Sequence, residues 1–254
     1  MPAQSLGGGP RDFVMSGFAT LIYEKEGPVA QVTLNRPASL NAYNIQMRND
    51  LFEVLTAIRD DPEVRVVLFT GAGEKAFCAG ADLSEFLTAP SPTIARQVRF
   101  GRDLWGLFLS LPQPLIAALH GYVIGSGIEI ALCCDIRIAA ADTEFRMPEV
   151  GLGIIPGAGG TQMLPRIIGR ARALEILLTG RWLESEEAQR IGLVSEIVSG
   201  EALLPRAWEL AHHIASLPAK AVRNAKAAVV RGGEMPLAEG LLLERRLSAD
   251  TRRP

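Results

Sequence analysis

The sequence predicts an α/β fold with one core and a helical C-terminal part. Two observations lead to this prediction. The runs at residues 64–69 and 115–119, which are apolar except for Arg65, have the length of strands and no regular polar alternation, which is typical of strands buried on both faces of a parallel sheet. Each run is followed by a glycine-containing turn and then by a segment with helical character. After Gly160 the predicted elements are mostly helical.

The first half of the chain is predicted to begin with a β-hairpin. Residues 20–24 and 29–34 have strand character and flank the turn pair Gly27-Pro28. Residues 45–59 carry apolar side chains at helical spacing, and this helix is predicted to end at Asp60-Asp61-Pro62. A tight turn is predicted over residues 77–82 and a second helix over residues 93–111.

The second half is predicted to repeat this order and then to become helical. Gly125-Ser126-Gly127 opens a helix that continues through Cys134, and a strand follows over residues 136–140. Four helices are predicted after Gly160, over residues 161–168, 171–179, 184–191 and 203–217. No linker with a different composition separates these segments. We therefore predict one α/β core over residues 18–198 and a helical region over residues 199–254.

Composition and charge exclude several classes of protein. The 254 residues are 48% hydrophobic and 21% charged, which is typical of a globular chain. The formal net charge of -2 argues against a nucleic-acid-binding protein. Glycines, His120 and Glu129 interrupt the apolar stretch 115–134, so no membrane-spanning segment is predicted. Three cysteines make a poor disulfide framework, which favours a reducing compartment, the cytoplasm.

The N-terminal residues 1–17 are predicted to form a disordered leader. They contain Gly7-Gly8-Gly9-Pro10 and lack the apolar stretch of a secretory signal. The predicted core therefore begins at Phe18.

Motifs for metals and nucleotides are missing from the sequence. It contains no G-x-x-x-x-G-K-[ST] phosphate loop, no G-x-G-x-x-G dinucleotide motif and no zinc-like spacing of cysteines and histidines. The residue spacing does not exclude a Ser–His–Asp triad, but the three histidines leave few candidates for its base. His212 and His213 are predicted to lie on a helix surface, and His120 is predicted to be structural.

Two glutamates lie beside glycine-rich turns. Glu129 falls in the first turn of a predicted helix, inside an apolar run where an unpaired carboxylate is costly. A capping or helix-dipole role explains Glu129 equally well. Glu149 precedes a glycine-rich stretch and alone would be an ordinary loop residue. Together, two carboxylates beside turns that can present backbone N–H groups to an oxyanion indicate acid–base chemistry on a carbonyl compound.

Several further motifs occur in the order found in one family. From about Leu21 to Val198 the sequence resembles the crotonase superfamily, also called the enoyl-CoA hydratase/isomerase family. The strongest matches are Leu34-Asn35-Arg36-Pro37 with Leu40-Asn41-Ala42, then residues 76–82, residues 121–131 with Cys134-Asp135, and residues 148–162. Residues 178–180 and 188–194 also match.

The resemblance implies a site for a CoA thioester. The backbone N–H groups of Ala79 and Ser126 would form an oxyanion hole for the thioester carbonyl. Glu129 would activate water, and Glu149, with a raised pKa, would protonate the α-carbon. The implied CoA-binding and substrate-binding residues are Arg36, Ala79, Gly80, Ala81, Asp82, Leu83, Ser126 and Gly157, with Arg36 and Lys75 as phosphate partners.

The implied fold is a crotonase-like spiral of ββα units with a helical C-terminal region. The implied activity is hydration of a trans-2-enoyl-CoA to a 3-hydroxyacyl-CoA, with CoA as part of the substrate and neither a metal nor a separate cofactor. The alternatives are a Δ3,Δ2-enoyl-CoA isomerase, a cyclic enoyl- or dienoyl-CoA hydratase, and a non-catalytic acyl-CoA-binding paralogue. The resemblance also implies a homotrimer or homohexamer. Residues 199–254 would form its oligomerisation region, about 20 residues (one or two helices) shorter than usual.

Two residues depart from the family pattern. Ser126 replaces the commoner glycine; only its N–H is needed for the oxyanion hole, but its side chain could narrow the pocket or touch the substrate. Met163 stands where the family often has arginine, and this change is expected to alter local packing or subunit contacts.

Overall fold

Two β-sheets organise residues 13–15, 17–86 and 102–252, which the computed structural model describes. The larger sheet has the strand order β1-β2-β3-β4-β6-β8-β11 and the smaller one β10-β9-β7-β5. The strands are Phe13–Met15 (β1), Leu21–Glu26 (β2), Val29–Leu34 (β3), Val66–Gly71 (β4), Ala76–Cys78 (β5), Leu115–Leu119 (β6), Tyr122–Ile124 (β7), Ile136–Ala140 (β8), Glu144–Arg146 (β9), Leu183–Glu184 (β10) and Glu196–Val198 (β11).

In each of three pairs of consecutive strands, the first strand belongs to the large sheet and the second to the small sheet. These pairs are β4 with β5, β6 with β7, and β8 with β9, and within each sheet their members run parallel. The predicted hairpin is formed by β2 and β3, which pair antiparallel from Leu21↔Leu34 to Glu26↔Val29. The repeated strand pairs confirm the predicted α/β class and the spiral of ββα units.

The helices follow the strand pairs and then fill the C-terminal part. They are Ile45–Asp60 (α1), Leu83–Phe86 (α2), Leu104–Ser110 (α3), Ser126–Leu132 (α4), Gly160–Ile168 (α5), Arg170–Thr179 (α6), Ser185–Arg190 (α7), Gly200–Ser216 (α8), Ala219–Gly232 (α9) and Leu237–Thr251 (α10). Asn44 caps α1 because its side chain accepts the Met47 N–H at 2.8 Å. Within the described ranges, no helix combines the length and the apolar character needed to cross a bilayer.

The central strands β3, β4 and β6 of the large sheet are buried on both faces, as the apolar runs of β4 and β6 predicted. Val67 and Phe69 of β4 belong to the main core, whereas Val66 and Leu68 pack on the opposite face together with α8. The apolar stripe of α8 has a spacing of four residues and consists of Leu203, Ala207, Ala211 and Ala215. This spacing keeps the four side chains on one side of the helix, facing the sheet.

Two predicted segments, the N-terminal leader and the helix over residues 93–111, lie partly outside the described residues. Residues 1–12 and 16 of the predicted leader lie outside the described residues, but Phe13–Met15 is a strand rather than part of a disordered leader. It pairs antiparallel with β2, whose outer edge offers unpaired N–H and C=O groups. Of the helix predicted over residues 93–111, the described part is α3, and residues 93–101 lie outside the described residues.

The last two helices form a hairpin that is tied to the core by polar contacts. Neither α9 nor α10 contains a buried residue, and Val229 and Leu237 are 76% and 80% exposed. The Lys226 ammonium lies 2.8 Å from the Gln113 carbonyl oxygen and 2.8 Å from the Asp135 carboxylate. Because Asp135 lies three residues beyond the end of α4, this ion pair connects the hairpin to the region of that helix.

Replacing Lys226 by methionine is expected to loosen the α9–α10 hairpin. The Lys226 side chain is 13% exposed, so losing its charge-assisted hydrogen bonds costs about 1.5–3 kcal/mol. Amide hydrogen exchange over residues 219–251 should accelerate, while α8 stays protected. Lys220→Met is the matched control, since Lys220 is 44% exposed and 3.5 Å from Asp250. Unchanged protection of the hairpin in K226M would contradict this role.

Candidate active site

Two glycine-containing turns lie against each other at the carboxyl ends of β5 and β7. These strands are parallel neighbours, so the turns at residues 79–82 and 125–127 leave the small sheet side by side. A Cβ atom on Gly127 would overlap the Cys78 carbonyl oxygen, and one on Gly80 would lie 3.2 Å from the Ile124 carbonyl oxygen. This close approach explains why glycine is needed in both turns.

Each of the two turns presents a backbone donor. The Tyr43 N–H donates to the Gly80 carbonyl and the Asp82 N–H donates to the Tyr43 carbonyl, both at 2.8 Å. The Ala81 N–H between them has no acceptor among the described residues. The same is true of the Ser126 N–H at the start of α4. Two unpaired N–H groups on turns in contact are the elements of an oxyanion hole.

Glu129 projects from the first turn of α4 and is 1% exposed. Its Oε1 accepts the Ala158 N–H at 2.8 Å and the Gly160 N–H at 2.9 Å. The carboxylate is therefore bound by the loop before α5, outside its own helix. Gly160 allows this approach, because a Cβ atom there would lie 3.1 Å from Glu129 Oε1 and 2.8 Å from Pro156 Cβ.

Glu149 lies in a 3-10 turn that follows β9, and it is 9% exposed. Its Oε2 is buried without a hydrogen-bond partner among the described residues. Burial raises the pKa of this carboxyl most strongly, a backbone hydrogen bond opposes this rise, and the negative charge of Glu129 adds a smaller increase. Gly125, with φ of 50°, faces the carboxyl: a Cβ atom there would lie 2.5 Å from Glu149 Oε1.

Arg36 and Asp82 bind each other at the outer side of the first turn. Arg36 donates from Nη2 to Asp82 Oδ2 at 2.8 Å and from Nη1 to the Ala42 carbonyl at 2.5 Å. The Ser84 hydroxyl and Arg36 both lower the pKa of Asp82. This pair connects the loop after β3 to the turn that presents Ala81. The predicted contacts of Arg36 and Asp82 with CoA stay predictions, and both side chains already have a structural role.

The cysteines and His120 do not contribute nucleophiles to this arrangement. Cys78, Cys133 and Cys134 are buried free thiols, and burial raises the pKa of Cys78 and Cys134 to about 12, so these two are protonated at neutral pH. Burial lowers the pKa of His120, whose Nε2 is buried without a partner among the described residues. Over residues 13–15, 17–86 and 102–252, no group of three or more histidine, cysteine or acidic side chains is placed so that it could hold a metal ion.

The comparison with protein families shows which family the chain belongs to. A family model described as Enoyl-CoA hydratase/isomerase matches residues 24–253. The chain belongs to the enoyl-CoA hydratase/isomerase family.

Relatives in this family have similar length and fold. The chain is 42% identical over 224 residues to the short-chain-enoyl-CoA hydratase of Clostridium acetobutylicum, covering 88% of this chain and 86% of that protein. It is 40% identical over 228 residues to the crotonyl-CoA hydratase of Syntrophomonas wolfei, covering 89% and 87%. A solved structure of an enoyl-CoA hydratase from Bacillus anthracis matches with a TM-score of 0.84 and 40% identity, covering 93% and 89%.

The structure of this enoyl-CoA hydratase/isomerase family member places most predicted site residues together and corrects one. Ser126, Glu129 and Glu149 meet around the two turns. Ala79, however, is not the free donor of the first turn, because its N–H donates to the Leu40 carbonyl at 3.0 Å. Ala81, predicted only as a CoA-binding residue, has the unpaired N–H.

The peripheral residues of the predicted CoA site are more exposed. Leu83, on the short helix α2, is 57% exposed, and Lys75 and Gly157 are also exposed. Their predicted contacts with CoA or substrate stay predictions. Met163, expected from the sequence to alter local packing or subunit contacts, packs its side chain against Gly159 and the core.

The buried carboxyl of Glu149 is expected to make the stability of this family member depend on pH. Since its pKa is raised in the folded state, the folded chain holds this proton more tightly than the unfolded chain does. The resulting stability is present at acid pH and is lost as pH rises through the raised pKa. Glu149→Gln removes this titration. From about pH 4 to about pH 8, the free energy of unfolding of E149Q should therefore increase relative to that of the wild type.

Chemical denaturation at several pH values measures this difference. Glu201→Gln, at the exposed start of α8, is the control for the chemical change from glutamate to glutamine. A difference between E149Q and wild type that stays constant over the range would contradict the raised pKa.

Proposed function

We propose that this protein is an enoyl-CoA hydratase, which adds water to a trans-2-enoyl-CoA thioester and yields a 3-hydroxyacyl-CoA. The observation that carries the proposal is the placement of two buried carboxyl groups, Glu129 and Glu149, beside two turns with unpaired N–H groups. The family and the names of the relatives, which include short-chain-enoyl-CoA and crotonyl-CoA hydratases, support this reaction.

The oxyanion hole stabilises the charge that develops during the addition. Attack of water on C3 moves electron density through the conjugated system onto the thioester oxygen and gives an enolate. The N–H groups of Ala81 and Ser126 donate hydrogen bonds to this oxygen. By comparison with other oxyanion holes, each donor is worth about 3 kcal/mol in the transition state.

The two glutamates move the protons. Glu129, oriented by the N–H groups of Ala158 and Gly160, accepts a proton from water as the new C3–O bond forms. Glu149, whose raised pKa favours the protonated form, donates its proton to C2. One water is consumed in each turnover, and proton exchange with solvent returns the two carboxyl groups to their starting forms.

A turnover screen over enoyl-CoA thioesters of different length and shape tests the proposal. In H2¹⁸O, the 3-hydroxy group of the product should carry the label. Loss of hydration in both E129Q and E149Q supports the two-carboxylate mechanism, whereas double-bond migration that survives in one variant identifies an isomerase. Acyl-CoA binding without any turnover would instead identify a non-catalytic paralogue and overturn the proposal.

The proposal extends to the oligomeric state, the cellular location and the partners of the protein. We propose a homotrimer or homohexamer, supported by the apolar surface that the α9–α10 hairpin leaves exposed at Val229 and Leu237; sedimentation analysis would test it. We also propose a cytoplasmic location, which is supported by the three free thiols. The proposed partner is the acyl-CoA substrate, with no separate cofactor or metal. The net charge of -2 argues against a role in binding nucleic acid.

A further inference from the structure

The side chain of Ser126 lies between two closely packed glycines and has no hydrogen-bond partner among the described residues. Ser126 is 9% exposed, and its hydroxyl makes no hydrogen bond with any described residue. The residues on either side of it are in close contact with the site: Gly125 faces the Glu149 carboxyl and Gly127 packs on the backbone of Cys78. The Ser126 N–H is also without an acceptor in the described part of the chain.

A serine at the start of a helix usually uses its hydroxyl within the chain. It accepts an N–H of the first turn as a cap, or it donates to the carbonyl four residues earlier. Ser126 does neither among the described residues. Its oxygen is not among the fully enclosed polar atoms that lack a partner, so it is open to the space beside the two turns. The unpaired hydroxyl is therefore available to a ligand that occupies the site.

We infer that the Ser126 hydroxyl is a third donor to the thioester oxygen, beside the N–H groups of Ala81 and of Ser126 itself. This inference rests on the proposed hydration reaction, because the thioester oxygen is where negative charge develops. A hydrogen bond to a charged acceptor is about twice as strong as one to a neutral acceptor. The hydroxyl thus stabilises the enolate more than the bound substrate, and it acts on kcat more than on KM.

Two variants separate the hydroxyl from the volume of the side chain. Ser126→Ala removes only the oxygen, and Ser126→Gly removes the oxygen and Cβ. Both are expected to lower kcat by about 10- to 100-fold and to change KM by less than about threefold. Ser199→Ala, at an exposed serine before α8, is the control and should retain the activity of the wild type.

A second measurement does not depend on turnover. Butanoyl-CoA labelled with ¹³C at the thioester carbonyl lacks the double bond and cannot be hydrated, so it can be observed in the bound state by infrared difference spectroscopy. Each hydrogen bond to the carbonyl lowers its stretching frequency. The frequency should be higher in S126A and S126G than in the wild type, whereas a purely structural effect on folding would appear in the melting temperature.

The possible outcomes are distinct. Unchanged kcat and an unchanged carbonyl frequency in both variants would overturn the role of the hydroxyl. Recovery of wild-type kcat in S126G but not in S126A would also overturn it, since the effect would then be steric. Failure of the wild type to bind butanoyl-CoA or to hydrate any enoyl-CoA would instead contradict the proposed function.

Discussion

Replacement of Glu129 by glutamine is expected to lower kcat for hydration by about 10²- to 10⁴-fold. Glutamine has nearly the same shape, and its amide oxygen can still accept the N–H groups of Ala158 and Gly160. It cannot, however, take a proton from water. The affinity for a saturated acyl-CoA should therefore change little, because in the proposed mechanism the backbone of the two turns binds the thioester and this carboxylate does not. Steady-state kinetics and calorimetric binding measure the two quantities separately.

The matched control for this variant is Glu201→Gln, which makes the same chemical change at the exposed start of α8. Its kcat should equal that of the wild type. A loss of less than about tenfold in E129Q would contradict the assignment of Glu129 as the general base.

Replacement of Gly127 by alanine is expected to affect both stability and activity. The added Cβ atom would overlap the Cys78 carbonyl oxygen and would lie 3.0 Å from the Cys78 Cβ. No side-chain rotation can relieve an overlap with backbone, so the two turns must move apart. We expect a loss of about 1–3 kcal/mol in the free energy of unfolding. We also expect kcat/KM to fall by at least about 10²-fold, because the Ala81 and Ser126 donors no longer converge on one oxygen.

Gly200→Ala is the control for the effect of an added methyl group. Gly200 begins α8, has no atom within 4 Å of the position that a Cβ atom would take, and is far from the two turns in sequence. This variant should keep wild-type kcat/KM and stability. Normal kcat/KM in G127A would show that the contact between the turns does not hold the oxyanion hole in place.

The large sheet could be predicted from the sequence because its strands are long enough to show a pattern. β4 and β6 are runs of six and five residues that are buried throughout, and Thr70 is their only polar side chain. The small sheet could not be predicted as a sheet, since β5, β7 and β9 each have only three residues. Such short strands show neither alternation nor a run, and they form because their neighbours supply the ladder partners.

The site shows the same division between local patterns and distant contacts. Glu129, Glu149 and the two glycine turns are visible in the sequence because acidic residues beside glycines are unusual in an apolar context. The identity of the free donor is not visible. Tyr43, distant in sequence, pairs with the residues on either side of Ala81 and leaves its N–H unpaired, while Ala79 donates to Leu40. The Arg36–Asp82 pair is another contact across the sequence that no local motif indicates.

The small sheet also sets the order in which activity can appear while the chain is being synthesised. Ala81 follows β5, Ser126 and Glu129 follow β7, and Glu149 follows β9, while the N–H groups that bind the Glu129 carboxylate belong to Ala158 and Gly160. Domains form as the chain emerges from the ribosome at about 5–20 residues per second. The candidate site can therefore assemble only after residue 160 has emerged. A nascent chain that ends between residues 149 and 157 carries both glycine turns and both glutamates but lacks the N–H groups that orient Glu129.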